Sequence, residues 1–387
     1  MQATDFTNET SGRLVSCPLG GPAFVPGPLP PPLHLDWALA AKLERATHAV
    51  GALAGVARTL PNPHLLINPF IRREAVLSSR IEGTRSTLSD LVLFEAGGPS
   101  ASGIEDVKEV ANYVTALEYG RRRLAELPLS LRLIREMHRE LMRGVRGENQ
   151  MPGEFRRDQN WIGGVSVATA TFVPPPLPEM NEALDAFEKY LHAPSELPAL
   201  VRFALIHYQF EAIHPFADGN GRIGRLLLTL LFLSENLIPE PLLYVSAYFE
   251  KHRREYYDLL LAVSQAGRWT DWIGFFLSAI EEQAQDAVSR SNRLLDLKER
   301  FRREAHAVGA TVPMLKLIER LFDRPAFAIP DVARELELTH RGAALIVEKL
   351  VGAGIVREMT GQARNRIFAS TPILDLVGEG DPKPAAR

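Results

Sequence analysis

The run His214-Pro215-Phe216-Ala217-Asp218-Gly219-Asn220-Gly221-Arg222-Ile223-Gly224-Arg225 constrains this chain more than any other stretch. The segment before it, residues 197–213, is apolar with helical spacing. Pro215 disfavours helix at the residue it follows, so that helix should end at His214. Gly219 and Gly221 permit backbone angles closed to other residues. From Arg222 to Ser234 a second, mostly apolar helix follows. The local fold is therefore helix, glycine loop, helix.

That arrangement suits one kind of chemistry. A glycine loop feeding a helix N-terminus aims amide N–H groups at one point and attracts an anion there. Arg222 and Arg225, three residues apart, can flank the same spot. Asp218 lies in the loop, where a hard cation bridging phosphate oxygens would need a carboxylate. His214 titrates near neutrality and can take a proton from an attacking hydroxyl. A zinc site built from His207, Glu211, His214 and Asp218 is the rival, but the HExxH spacing is absent and His214 leaves the helix. No GxxxxGK[ST] loop occurs.

The same residues match the pattern HxFxDGNGRxxR and resemble the Fic family, whose members usually transfer AMP from ATP to a protein hydroxyl. The resemblance implies His214 as general base and Phe216 as the apolar anchor of the loop. It implies Asp218 as ligand of Mg²⁺, and Asn220 with the amides of Gly219 and Gly221 as an α-phosphate cradle. Arg222 would contact the outer phosphates and Arg225 would orient the γ-phosphate. Further on, Tyr257 stands where the family places an adenine contact, and Ser264 where it usually has asparagine.

Upstream, residues 71–81 read as a helix with Gly83 as its stop. Ser78-Ser79-Arg80-Ile81-Glu82-Gly83 fits (S/T)xxxE(G/N) and resembles the inhibitory helix of Fic proteins. The implied pairing is Glu82 with Arg225, which would put a carboxylate where a γ-phosphate belongs. In some relatives the same glutamate serves the reverse removal of AMP. Pro152-Gly153-Glu154-Phe155-Arg156 and Gln159 to Gly164 precede an alternating run, Val165 to Val173, read as a strand ended by Pro174-Pro175-Pro176. It resembles the Fic flap, an edge on which a target protein, or this chain itself, would dock.

The 387 residues suffice for two or three domains, and 46% hydrophobic with 24% charged residues describe an ordinary soluble protein. A net charge of −3 argues against a polyelectrolyte binder. The single cysteine, Cys17, excludes a disulfide framework and suits a reducing cytoplasm. No stretch reaches the ~18 apolar residues of a membrane span, and no signal-peptide core opens the chain.

The expected fold is mainly α. A Pro/Gly-rich arm covers 1–35 and a helical N-terminal lobe with the inhibitory helix covers 36–103. The Fic catalytic core with its small β-hairpin flap covers 104–280, and a connector helix covers 281–310. Residues 311–375 resemble a winged helix-turn-helix, with Thr339 capping its third helix, and 376–387 are a tail. Contacts to DNA would fall on His340, Arg341, Arg364 and Arg366. Residues 311–387 carry 11 Lys and Arg against 10 Asp and Glu, so a nucleotide-sensing DNA-binding regulator is the alternative, and homodimerisation or target docking the favoured use.

Overall fold

The structure, a computed structural model, describes residues 1–59, 64–98, 103–145 and 151–381. Residues 60–63, 99–102 and 146–150 and the end of the 376–387 tail lie outside the described residues. Among the described residues no helix is long and apolar enough to cross a membrane.

The chain opens on an antiparallel hairpin, β1 (Gly12–Ser16) and β2 (Pro22–Pro26), with Leu14 opposite Phe24. An extended arm was the expectation for this region. The hairpin forms because Ala23, Phe24 and Val25 are buried, and because the Phe24 N–H donates to the Val173 carbonyl at 2.9 Å. Burial and a backbone partner outside the arm decide its shape, and neither is visible in its composition.

Among the described residues eleven α-helices follow: α1 (Trp37–Thr59), α2 (His64–Ile81), α3 (Leu88–Glu95), α4 (Ile104–Arg123), α5 (Leu131–Leu141), α6 (Leu177–His192), α7 (Ala199–Ile213), α8 (Asn220–Ser234), α9 (Ser246–Lys251), α10 (Arg253–Ala266) and α11 (Trp269–Ala307). The pair α7 and α8 is buried on nearly every face and forms the centre of the molecule. α2 starts at His64 rather than Ile71 and contains Pro69. It too is buried along most of its length, with α4 and α9 among its neighbours. α11 runs unbroken through residue 280, where the core was expected to end. Trp272, Phe276, Ile280, Ala284, Ala287 and Leu294 stay buried along it.

The C-terminal unit is α12 (Val312–Asp323), β3 (Ala326–Ala328), α13 (Ile329–Glu335), α14 (His340–Gly352), β4 (Arg357–Glu358), β5 (Ile367–Ala369) and α15 (Thr371–Val377). Its small antiparallel sheet has the order β3-β5-β4. Thr339 Oγ1 accepts the Gly342 N–H at 3.1 Å and caps α14.

This unit bears directly on α2. The Asn68 amide meets Asp323, and Arg73 pairs with Asp381 at 2.6 Å and with Asp286 of α11 at 3.0 Å. Arg290 of α11 donates to the carbonyls of Leu376, Val377 and Glu379 at 2.6–3.0 Å, closing the end of α15 and placing Asp381. The Arg73 side chain is 10% exposed. Asp381→Asn is therefore expected to cost about 1.5–3 kcal/mol of stability, the range for hydrogen bonds to charged groups. Urea unfolding checks this, with the exposed Asp375→Asn as a control that should stay near zero.

Candidate active site

α7 stops at Ile213, and His214 takes the left-handed conformation, φ 49° and ψ 59°. A residue with a Cβ is uncommon there, so its neighbours must hold it. The His214 carbonyl accepts from Arg156 Nε at 3.1 Å and from Asn160 Nδ2 at 3.4 Å. The Arg156 N–H also donates to the Pro215 carbonyl at 2.9 Å. His214 Nδ1 lies 3.3 Å from the Glu211 carbonyl, which can only accept, so Nδ1 carries the proton and Nε2 keeps its lone pair. Burial pushes the imidazole down to about 4, and the Glu211 carbonyl offsets this only in part. His214 is neutral at physiological pH and ready to accept a proton.

The loop after it is closed on itself. Phe216 is fully buried, and its ring stacks on His138 with centroids 3.8 Å apart and planes 6° from parallel. Asn220 Oδ1 accepts the Phe216 N–H, and Asn220 Nδ2 donates to the Phe216 carbonyl, both at 2.8 Å. The sequence reading put Asn220 in a phosphate cradle. Its side chain holds the loop's shape, both of its polar atoms being engaged by Phe216. Gly219, at φ 78°, supplies the left-handed residue that starts α8.

Asp218 keeps a half-exposed carboxylate, whose Oδ1 accepts the Gly219 N–H at 2.6 Å and lies 3.6 Å from Arg222 Nη2. Arg222 is 4% exposed and pairs with Glu109 of α4 at 3.3 Å. Its guanidinium does not line the cavity described next.

A cavity of about 520 Å³ opens beside His214. Glu82, Gly221, Arg225, Glu211, Tyr257 and Ser264 line it, together with Trp161 and Phe172 of the flap. Arg225, 1% exposed, reaches across to α2: Nε donates to Ser78 Oγ at 2.8 Å, and Nη2 to the Ser78 carbonyl at 3.0 Å and to Glu82 Oε1 at 2.6 Å. Gly83, at φ 102°, lets the chain turn away after Glu82. A Cβ on Gly221 would fall 2.2 Å from Glu82 Oε1, so the carboxylate rests on the first turn of α8, where a helix favours an anion.

Electrostatics separates the acids around Arg225. Burial pushes the Glu82 carboxyl up, but the charge and hydrogen bond of Arg225, helped by Arg222 and His214, hold it below its ordinary value. Glu211 is pushed up to about 8 by burial, against the pull of Arg225. Glu74 on α2 is likewise pushed up to about 7 by burial, although Ser246 and Tyr113 donate to it. Of the three, Glu82 is the one whose carboxyl is held below its ordinary value.

Tyr257 is exposed on the cavity wall, while Tyr256 is buried and its hydroxyl meets His207 Nε2 at 2.9 Å. Ser264 Oγ is 2.8 Å from the Tyr208 hydroxyl. His207 is engaged by Tyr256 and, at 3.3 Å, by the Gly224 carbonyl. Among the described residues no group of three His, Cys, Asp or Glu side chains could hold a metal, so the zinc set does not converge.

The flap is a minimal hairpin. Ile162 and Phe172 form one antiparallel bridge, and residues 167–169 are a short 3-10 turn rather than part of a strand. The alternation from Val165 to Val173 misleads because Gly163 and Gly164 turn left-handed and Thr169 Oγ1 draws in the N–H groups of Val165 and Ser166. Val165 is left 90% exposed.

Sequence reasoning missed the residues that support this site. Arg156 and Asn160 stand in a polar loop whose partners the sequence does not show. Glu109 and Glu74 left no local signal. His138 showed only as a histidine on the apolar face of α5, beside Ile134, Met137 and Leu141.

Comparison with known proteins bears on the same region. Residues 40–122 match the Fic/DOC family N-terminal model, and residues 128–232 match the Fic/DOC family model. The chain is similar to the protein adenylyltransferase Fic of Drosophila virilis, 29% identical over 207 residues, and to that of Drosophila melanogaster, 27% identical over 207 residues. Each match covers 52% of this chain and only 39% of the relative's length. A Fic family protein from Desulfovibrio desulfuricans G20 superposes with a TM-score of 0.57 over 88% of this chain and 98% of its own, at 20% identity. Fic-1 from C. elegans superposes with a TM-score of 0.54 over 67% of this chain and 74% of its own, at 21% identity. The likeness to both supports the mainly helical fold.

Proposed function

We propose that this chain, which carries the Fic/DOC N-terminal region and the Fic/DOC domain, is a protein adenylyltransferase held in check by Glu82. One observation carries the reading. The free Nε2 side of a neutral His214, the N-terminal turn of α8 and Arg225 open on one cavity, and the carboxylate of Glu82, just past the end of α2, already sits where they converge.

The reaction follows from that geometry. A Ser, Thr or Tyr hydroxyl of a target, presented beside the flap at Trp161 and Val165, gives its proton to His214 Nε2. Its oxygen bonds to the α-phosphorus of ATP, the bond to the β-phosphate oxygen breaks, and pyrophosphate leaves in line. The amides of α8 and Arg225 meet the charge on the phosphates. Asp218 is a single half-exposed carboxylate beside that turn, which fits a Mg²⁺ ion taking most of its ligands from phosphate and water. Bound there, the ion would neutralise phosphate charge. The C-terminal unit has the element order of a winged helix. The exposed residues of α14 are mixed, His340, Arg341 and Lys349 beside Leu345, Glu348 and Val351, a face that suits protein docking as well as a nucleic acid.

Intact-mass measurement of the Glu82→Gly chain with ATP and Mg²⁺ tests the assignment. A gain of one AMP on the chain or on added protein is expected, and its loss when His214→Ala is added. No gain in either variant would contradict it. The pH profile gives a second test. The acid limb of kcat/KM should centre near 4, where burial places His214, and the rate should be flat from pH 6 to 8. A midpoint near the ordinary imidazole value of about 6.5 would mean that burial does not hold His214 down in the working site, and a profile unchanged by His214→Ala would mean that another group supplies the base.

A further inference from the structure

His138 of α5 is a buried, doubly bonded histidine that plays no part in the chemistry above. It is 2% exposed. Its Nδ1 accepts the Gly153 N–H at 2.9 Å, so the ring proton sits on Nε2, which donates to the Asp218 carbonyl at 3.0 Å. Its face stacks on Phe216. The contact is built from both sides. Gly153 lies at φ 84°, and a Cβ there would come within 3.0 Å of the Arg135 carbonyl, so only glycine brings this amide to the ring. Beneath Gly219, a Cβ would meet Met142 at 3.1 Å and His138 at 3.6 Å, so the loop lies flat on α5.

We propose that His138 is a positioning residue for the transfer reaction. Through the Asp218 carbonyl and the Phe216 ring it holds the 214–220 loop in the one shape that aims the Asp218 carboxylate and the α8 amides at the triphosphate. Asn220 braces the loop from within, and His138 ties it to the rest of the fold. The inference rests on the adenylyltransferase reading, and its consequence is separable from it. Misplacing a loop by about 1 Å can cost ~10²-fold in rate while leaving binding of the remote parts of a substrate intact.

Two substitutions in the Glu82→Gly chain divide the role. His138→Phe keeps a ring for Phe216 but removes the donor to Asp218 and the acceptor for Gly153. His138→Gln restores an amide donor without the stack. His138→Phe is expected to lower kcat roughly 10- to 100-fold, with the KM for ATP changed less than about threefold, and His138→Gln to recover part of kcat. Parental kcat in His138→Phe would overturn the proposal. So would equal losses in both variants that track a common fall in thermal midpoint, since that marks a merely structural histidine. A crystal structure of His138→Phe supplies a readout besides activity. The Asp218 carbonyl should shift from its parental place, and an unmoved loop would sink the inference. If the Glu82→Gly parent fails to label, the adenylyltransferase reading fails, and the loop shift still decides whether His138 positions Asp218.

Discussion

Glu82→Gly should bind ATP more tightly than the parent chain and label protein with AMP faster. The reason is competition for one cation. Arg225 is buried and already holds Glu82 at 2.6 Å, so a γ-phosphate can reach it only by displacing that carboxylate or by binding elsewhere. Displacing a hydrogen bond between charged groups costs about 1.5–3 kcal/mol, which is roughly 10- to 100-fold in affinity. The carboxylate also rests on the α8 N-terminus, so it repels phosphate from the second element of the anion site. The substitution should not melt α2. Glu82 lies beyond Ile81, the last residue of that helix, and Arg73 and Ser78 keep their own partners. Titration of ATP and labelling by radioactive ATP measure the two effects. Equal affinity and equal labelling in both chains would show that Glu82 does not inhibit.

Arg225→Ala has the opposite sign and the larger effect. Added to Glu82→Gly, it should lower AMP transfer on the order of 10²- to 10³-fold, the range for removing one preorganised stabiliser of transition-state charge. In the parent chain it should also destabilise the fold. Arg225 pulls down the carboxyls of Glu82, Glu211 and Glu74, and its loss leaves a cluster of acids around an empty space. Glu82 keeps a third of its side chain exposed, so the loss is expected nearer the ~1.5–3 kcal/mol of a hydrogen bond between charged groups. Arg225→Lys should restore part of the stability and little of the rate, since a point charge cannot replace a planar fork that serves Ser78 and Glu82 together. Urea unfolding and single-turnover labelling on the same variants separate the two effects. Full activity in Arg225→Ala would remove the arginine from the site.

Much of the site was legible because it is local. His214 to Arg225 lie within one loop and one helical turn, and the chemistry of a glycine loop before a helix follows from their types and order. The meeting of Glu82 with Arg225 spans 143 residues and could be expected only through resemblance to a known pattern. No local rule predicts it. Where an expectation depended on surroundings it went astray. The arm at 12–26 became a hairpin through Phe24 and Val173, and the alternating run at 165–173 became a turn through Thr169. The brace that the Asn220 side chain gives the loop through Phe216 was not legible either, since its partners are backbone groups. The supports at Arg156, Asn160 and His138 were illegible for the same reason. Their partners are backbone carbonyls and amides of distant segments, and a backbone group has no signature in sequence.

The most direct measurement is a crystal structure of the Glu82→Gly chain soaked with a non-hydrolysable ATP analogue and Mg²⁺. The γ-phosphate is expected within hydrogen-bond distance of Arg225, over the first turn of α8, with the α-phosphate facing His214 Nε2. A cavity without nucleotide, or a triphosphate bound away from Arg225, would contradict it.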